Sequence, residues 1–247
     1  MVTDFFQKVG DVMIRMTNYV MLYAPIGVFG LIAYTVTRHG LAVLLPLGKL
    51  ILTAFIATLI FVCITYLPII KLIGMKISDY LKGAFEPWLI AFTTCSSAAA
   101  LAVNLEASRK MGASKAIASF AIPLGNTINM NGTSIYMGVT AVFAAEVFGI
   151  DLTLAQQFQI VLMGVLAAVG TAGVPGAGLI MTTLVFTEVG IPLEAVALIA
   201  GIDRILDMIR TSVNVLGDSL TALVVSKSEG VLGTELMDQD TVVKEQL

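Results

Sequence analysis

Long apolar stretches broken by short polar intervals run through this chain, and several exceed the roughly 18 residues that mark a membrane-crossing helix. The first covers about residues 4–37. Its start is amphipathic, with Asp4, Lys8, Asp11 and Arg15 at helical spacing. Its second half, YVMLYAPIGVFGLIAYTV, is apolar enough to span, and Pro25 and Gly27 are placed to kink it. Arg38, His39 and Gly40 then break the pattern. A second span covers about 41–73 and ends at Lys71, and Lys76, Asp79 and Lys82 form a hydrophilic connection.

Next, FEPWLIAF leads into a run of small and polar residues from Thr93 to Ala100, after which LAVNLEASRKMG returns to charge. Each arm is on the order of a dozen residues, too short to cross about 30 Å of hydrocarbon. A polar tip between short arms reads as a re-entrant hairpin, shielded by protein or a water cavity. The competing reading is one long span with a Ser/Thr-rich packing face. Residues 114–149 are apolar but interrupted by Gly125, Asn126, Thr127, Asn129, Asn131, Gly132 and Thr133, all poor or middling helix formers. An unwound turn there would free carbonyl oxygens for a cation, with amide oxygens adding to them. Polar glue between helices is the alternative.

After Asp151 and Thr153 comes an apolar arm at 155–168, then a Gly-rich tip from Val169 to Gly178 that regular helix accommodates poorly. LIMTTLVFTEVG follows as a second arm, so this too reads as a hairpin. A last helix is predicted over about 195–226, with a polar, acidic tail from Lys227. A hairpin followed by a helix with a polar defect thus occurs twice, the pattern of inverted-repeat transporters with sites at mid-membrane.

The last helix contains DRILDMIRTSVNVLGD. At 100° per residue, Asp203, Asp207, Arg210, Asn214 and Asp218 fall within an arc of roughly 80°. Ile205, Leu206, Met208, Ile209, Val213, Val215 and Leu216 occupy the other faces. A soluble amphipathic helix has a broad polar face, whereas this one carries a narrow charged stripe. Charges inside a membrane face a cavity or a partner. The stripe is therefore either a site for charged ligands or ions, or an internal ion-pair ladder that specifies packing.

Composition narrows the class. Of 247 residues, 57% are hydrophobic and 13% charged, and the mean hydropathy is +0.94, too apolar for an ordinary soluble domain. The expected fold is an all-α polytopic membrane protein. The net charge of −3 brings no basic patch for nucleic acid. Cys63, Cys95 and His39 have no metal-ligand spacing, and there is no nucleotide-binding loop. The amino terminus carries acids and bases within its first helix, unlike a cleavable signal peptide. No basic residue lies between Lys115 and Arg204, so positive charge says little about the orientation of that stretch.

At this point the sequence resembles the dicarboxylate/amino acid:cation symporters, which include the excitatory amino acid transporters and archaeal aspartate transporters. The resemblance runs to about residue 228. YAPIGVF at 23–29 is similar to the family's fifth membrane helix, and Ser96 and Ser97 to its serine-rich first hairpin. PLGNTINMNGT at 123–133 resembles the seventh-helix motif, GTAGVPGAG at 170–178 the second hairpin tip, and the charged stripe the eighth helix. Archaeal members are among the proteins from which the inverted-repeat pattern was generalised, so the two readings are not independent.

The resemblance implies transmembrane helices plus two re-entrant hairpins in an inverted repeat. A scaffold-type helix would occupy 1–40, a transport domain 41–226, and a cytoplasmic tail 227–247. It implies that Arg210 grips a substrate side-chain carboxylate by bidentate geometry and that Asp207 takes the α-amino group. Thr211 and Asn214 would bond the amino-acid head. Backbone at Ser97, Val174 and Gly178 would hold the main-chain carboxylate, with Thr133 lining the pocket. It implies sodium at Asp218 with oxygens of Gly125, Asn129 and Asn214, and a second ion at Thr127 with backbone of Met130, Val169 and Thr171. Hairpin two would be the gate. No cofactor is implied beyond sodium ions, or protons, as coupling ions.

Three departures stand out. Asn131 occupies a position usually held by Asp, which contributes to a further sodium site. Cys95, read as a small packing residue, stands where prokaryotic relatives often carry arginine beside the serines; Arg204 is a candidate to supply that charge instead, although at about 100° from Asp203 it lies off the stripe. About four helices precede this point in the family, including most of the trimer scaffold. The expected function is a secondary symporter for aspartate or glutamate, or its C-terminal core, in the plasma (inner) membrane with lipid around it and the carboxy terminus cytoplasmic. It would be a homotrimer when complete. The alternatives are an inactive or partner-requiring fragment, a C4-dicarboxylate symporter, and an intramembrane aspartyl protease. The protease needs two carboxylates that share a proton, whereas these aspartates share one helix beside Arg210.

Overall fold

The computed structural model describes residues 2–234, and among these it contains helices and no strand. Helix α1 (Val2–His39) runs unbroken with Pro25 inside it. Lys8 and Arg15 of its amphipathic start are exposed, while the side chains of Asp4 and Asp11 lie outside the described positions. Gly40, at φ +76°, ends α1 at the predicted break, in a conformation that residues with a Cβ resist.

A 3-10 turn (Leu41–Val43), α2 (Leu44–Phe61), a π-helical turn (Val62–Tyr66) and α3 (Leu67–Leu72) continue as one apolar rod. Residues Leu41–Leu72 are the one helix among the described residues long and apolar enough to cross a membrane, where the sequence predicted several. The other apolar helical stretches, Pro25–Tyr34, Leu154–Val169 and Ala177–Val189, are shorter. The π turn precedes Pro68, which has no N–H to continue the regular ladder. It brings Tyr66 into the interior, 4% exposed.

Helices α4 (Ile77–Thr94) and α5 (Ser97–Lys110) form a helical hairpin. Asp79 and Lys82 lie inside α4 rather than in a connection, because Tyr80 and Ala84, one turn apart, bury a face there. Its tip is also shorter than predicted: only Cys95 and Ser96 leave the helices. Ser96 Oγ accepts from the Ala99 amide at 3.2 Å and caps α5, so the alanines that follow propagate helix.

Helix α6 (Lys115–Ile128) stops and α7 (Asn131–Val147) starts around Asn129 and Met130, the interruption the asparagine cluster predicts. Helix α8 (Leu154–Val169), opened by a Thr153–Gln156 capping box, and α9 (Ala177–Val189) form the second hairpin. The final element is split into α10 (Glu194–Ala200) and α11 (Asp203–Ser228), instead of running on from about 195. At the split, a Cβ on Gly201 would lie 3.2 Å from Ile32 Cγ1 of α1, so glycine permits that approach. The split also places Asp203 in the first turn of α11, where a carboxylate meets the positive end of the helix dipole.

Helix α11 is the axis of the molecule, packed by α2, α4, α5, α6 and α7. Helices α6 and α7 run antiparallel to it. The Ser114 amide meets Ser226 Oγ, Gly125 lies beside Asp218, the Gly132 amide meets Asn214, and Tyr136 meets Asp203, in that order. Two apolar clusters grip the axis. One, built on Met137, Ile160, Phe186 and Ile199, takes Leu206 from the first turns of α11. The other, built on Ile70, Tyr80 and Ile122, takes Val213, Leu220 and Leu223. Beyond α11 the Gly233 amide donates to Gly112 O at 2.8 Å. The acidic end of the predicted tail, residues 235–247, lies outside the described residues, as does Met1.

Candidate binding site

All five stripe residues are buried, each with no more than 6% of its surface exposed. Arg210 is central. Its Nη2 lies 2.8 Å from Asp207 Oδ1, one turn back on α11, and its Nη1 lies 3.7 Å from Asp203 Oδ1. Tyr136 of α7 stacks its ring against the guanidinium, 4.4 Å from Cζ to the ring centroid, and donates its hydroxyl to Asp203 at 2.8 Å. A distance of 3.7 Å is too long for a hydrogen bond, and Nη1 has no other acceptor. One guanidinium thus faces two carboxylates and still has an unused, buried donor edge.

The remaining stripe contacts fix the walls of one cavity. Thr211 Oγ1 donates to Asp207 Oδ1 at 2.7 Å, and Asp207 Oδ2 accepts the Gly176 amide at 2.8 Å. Asn214 Oδ1 accepts the Gly132 amide at 2.8 Å, and its Nδ2 donates to Thr133 Oγ1 at 3.1 Å. Ser97, Thr133, Val174 and Gly178 face the same cavity as Asp207, Arg210, Thr211 and Asn214, so the whole predicted substrate set is brought together. Gly178 comes so close to the guanidinium that a Cβ there would strike Arg210.

The two hairpin tips meet at this cavity. Gly173 O accepts Ser96 Oγ at 3.0 Å and the Ala98 amide at 3.1 Å. The space between them is about 10 Å³, room for about one water molecule.

Below the cavity lies the predicted cation set. Asn129 Nδ2 donates to Asp218 Oδ1 at 2.8 Å and lies 3.4 Å from Asn214 O, and Gly125 packs on the same carboxylate. Asn131 Nδ2 donates to Asn129 Oδ1 at 2.7 Å and to the Tyr66 hydroxyl at 3.0 Å. One carboxylate among neutral amide, hydroxyl and carbonyl oxygens is donor chemistry for a hard monovalent cation. Among the described residues no group of three or more His, Cys, Asp or Glu suits a transition metal. Of the second predicted ion set, Met130 and Thr171 line the cavity. Thr127 and Val169 do not: both are exposed, and the Thr127 hydroxyl turns back to Leu124 O at 2.9 Å.

Sequence reasoning missed four contributors. Tyr136 sits one turn beyond Thr133 on α7, a helical spacing that could have placed it on the site's face. Tyr66 and Tyr80 are buried hydroxyls, and Tyr80 OH donates to Leu216 O at 2.6 Å; tyrosines in apolar runs signal a required partner. The Gly176 amide carries no sequence signal.

Comparison with known proteins places the chain in a family. Over 234 residues the chain is 39% identical to the proton/sodium-glutamate symport protein of Geobacillus stearothermophilus, covering 95% of this chain and 56% of that protein. It is 38% identical over 224 residues to the proton/glutamate-aspartate symporter of Escherichia coli K12, covering 91% and 51%. It is 39% identical over 230 residues to the C4-dicarboxylate transport protein of Bacillus subtilis 168, covering 92% and 54%. The chain spans about half the length of these curated relatives. The sodium:dicarboxylate symporter profile matches residues 1–228, which takes in every element from α1 to α11 and all of the buried stripe. With that match, the chain belongs to the sodium:dicarboxylate symporter family, a family of membrane transporters.

Proposed function

We propose that this chain forms the substrate and cation sites of a secondary symporter for acidic amino acids, aspartate or glutamate, driven by a sodium or proton gradient. The observation that carries this reading is the free, buried Nη1 edge of Arg210 in the small cavity beside Asp207. A guanidinium edge suits a side-chain carboxylate. Asp207 supplies the anion for an ammonium group, and the amides near the two tips supply donors for a main-chain carboxylate. The match to a C4-dicarboxylate transport protein supports a second reading, but a plain dicarboxylate has no ammonium to use Asp207.

In this reading α4–α5 and α8–α9 are re-entrant hairpins in an inverted repeat, and the 170–176 tip is a gate that opens for ligand. Residues 41–226 move as a transport domain against a scaffold to which 1–40 belongs, within a multi-pass homotrimer. Charge supports an orientation with the carboxy terminus cytoplasmic. Lys71, Lys76, Lys82, Arg109, Lys110, Lys115 and Lys227 gather where α3, α5 and α11 end and α4 and α6 begin. Glu146 and Asp151 sit at the far end of α7. Basic ends face the cytoplasm.

Calorimetry on the purified chain in detergent tests the reading. Sodium-dependent heat with L-aspartate, and none with succinate, is expected. Equal binding of succinate transfers the assignment to dicarboxylates. Aspartate binding that ignores sodium moves the coupling ion to protons. No heat in either buffer favours a chain that binds only with a partner.

A further inference from the structure

The tip of the α4–α5 hairpin is fastened to α11 by a residue outside the charged stripe. Arg204 Nη2 donates to Thr93 O at 2.7 Å, and its Nη1 lies 3.4 Å from Thr94 O. These are carbonyls of the last turn of α4, which have no partner within their own helix. Cys95, the next residue, is in the left-handed region at φ 57° and has 1% of its surface exposed. Its thiol points back to Arg204 O at 3.8 Å. A non-glycine residue persists in that conformation only where its surroundings hold it.

The second tip, 170–176, is fastened differently. It lies on the first through Gly173 O and on the stripe through the Gly176 amide and Asp207. A ligand ammonium competes for Asp207 and so acts on the second tip directly. Nothing in the cavity competes for Thr93 or Thr94.

We infer that Arg204 is a positioning residue that clamps the α4–α5 tip to α11, holding that wall of the cavity still while ligand exchange works on the other tip. The guanidinium offers two carbonyls two donors in one rigid plane, where a lysine would offer a single nitrogen on a flexible stem. The inference rests on the binding role proposed above for the cavity, but its test does not require a ligand.

Cys95 is the reporter. In a Cys63→Ala background, which removes the other thiol, the rate of Cys95 alkylation by N-ethylmaleimide is measured in detergent without substrate. Arg204→Ala and Arg204→Gln are expected to raise the rate about tenfold or more, with Arg204→Lys intermediate. A second reporter, Ala222→Cys in a fully buried position of α11, is expected to keep its rate when Arg204 is changed. Unchanged Cys95 labelling in both Arg204 variants overturns the inference. Equal acceleration at positions 95 and 222 also overturns it, because that marks general loosening. A chain that binds succinate as well as aspartate yet unmasks Cys95 in Arg204→Gln overturns the amino-acid reading of the cavity and leaves the clamp standing.

Discussion

Asn131 donates its side-chain amide to Asn129 Oδ1 at 2.7 Å, which leaves the Asn129 amino group turned to Asp218 at 2.8 Å. The carboxylate is therefore met by an N–H donor where a cation would otherwise sit. Asn131→Asp removes the first donor and adds a second, half-buried carboxylate. The variant is expected to melt lower than wild type without sodium and to regain more stability as sodium is added, through binding linkage. Melting curves across a sodium series check this. Parallel curves for the two proteins would place position 131 outside a working cation site.

Gly125 has no room for a side chain. A Cβ there would lie 2.5 Å from Asp218 Oδ1, so Gly125→Ala must displace the carboxylate. Sodium-dependent stabilisation is expected to shrink or vanish in this variant. A sodium response equal to wild type would show that Asp218 does not hold the ion.

Arg210→Ala leaves Asp203 and Asp207 buried without their cation. Removing one partner of a buried ion pair costs about 3–5 kcal/mol, so a marked drop in melting temperature is expected. Arg210→Lys keeps the charge but loses the fork, and isolates the recognition role. It is expected to weaken aspartate binding far more than serine or alanine binding. Equal losses across these ligands would reject the side-chain carboxylate as its partner.

Tyr136→Phe keeps the ring on Arg210 and removes the hydroxyl that Asp203 accepts. Leaving that buried acceptor short of a donor is expected to cost about 1–3 kcal/mol, read as a lower melting temperature with ligand selectivity retained. A change in selectivity would mean that the hydroxyl also addresses the ligand.

Much of the site was legible because its chemistry contradicts its setting. Charges at helical spacing in an apolar helix, and asparagines clustered in an apolar segment, stand out against any packing requirement. They located the stripe and the interruption at Asn129 and Met130. Lengths were less legible. Serine near a tip serves a turn or a helix cap equally well, and the alanines beside it favour helix once a cap is set. The first tip therefore shrank to Cys95 and Ser96 once Ser96 acted as a cap, and α4 extended back to Ile77 because Tyr80 found a buried partner. Arg204 lies off the stripe by angle, and the sequence offers it only as a substitute charge for the arginine missing at Cys95. That it donates to Thr93 and Thr94 carbonyls could not be read from spacing, because they belong to a segment some 110 residues earlier. Thr127 and Val169 entered by resemblance alone, and both lie outside the lining of the cavity that Met130 and Thr171 share.

The pairing of Arg210 with Asp207 makes ligand capture an exchange. Asp207 is already met by Arg210, Thr211 and the Gly176 amide, whereas the Nη1 edge of Arg210 is still without an acceptor. In the proposed reading an ammonium would therefore displace contacts at Asp207, while a carboxylate would add one at Arg210. The two ends of one ligand would then meet unlike costs, and only a ligand carrying the second group would repay the displacement made by the first.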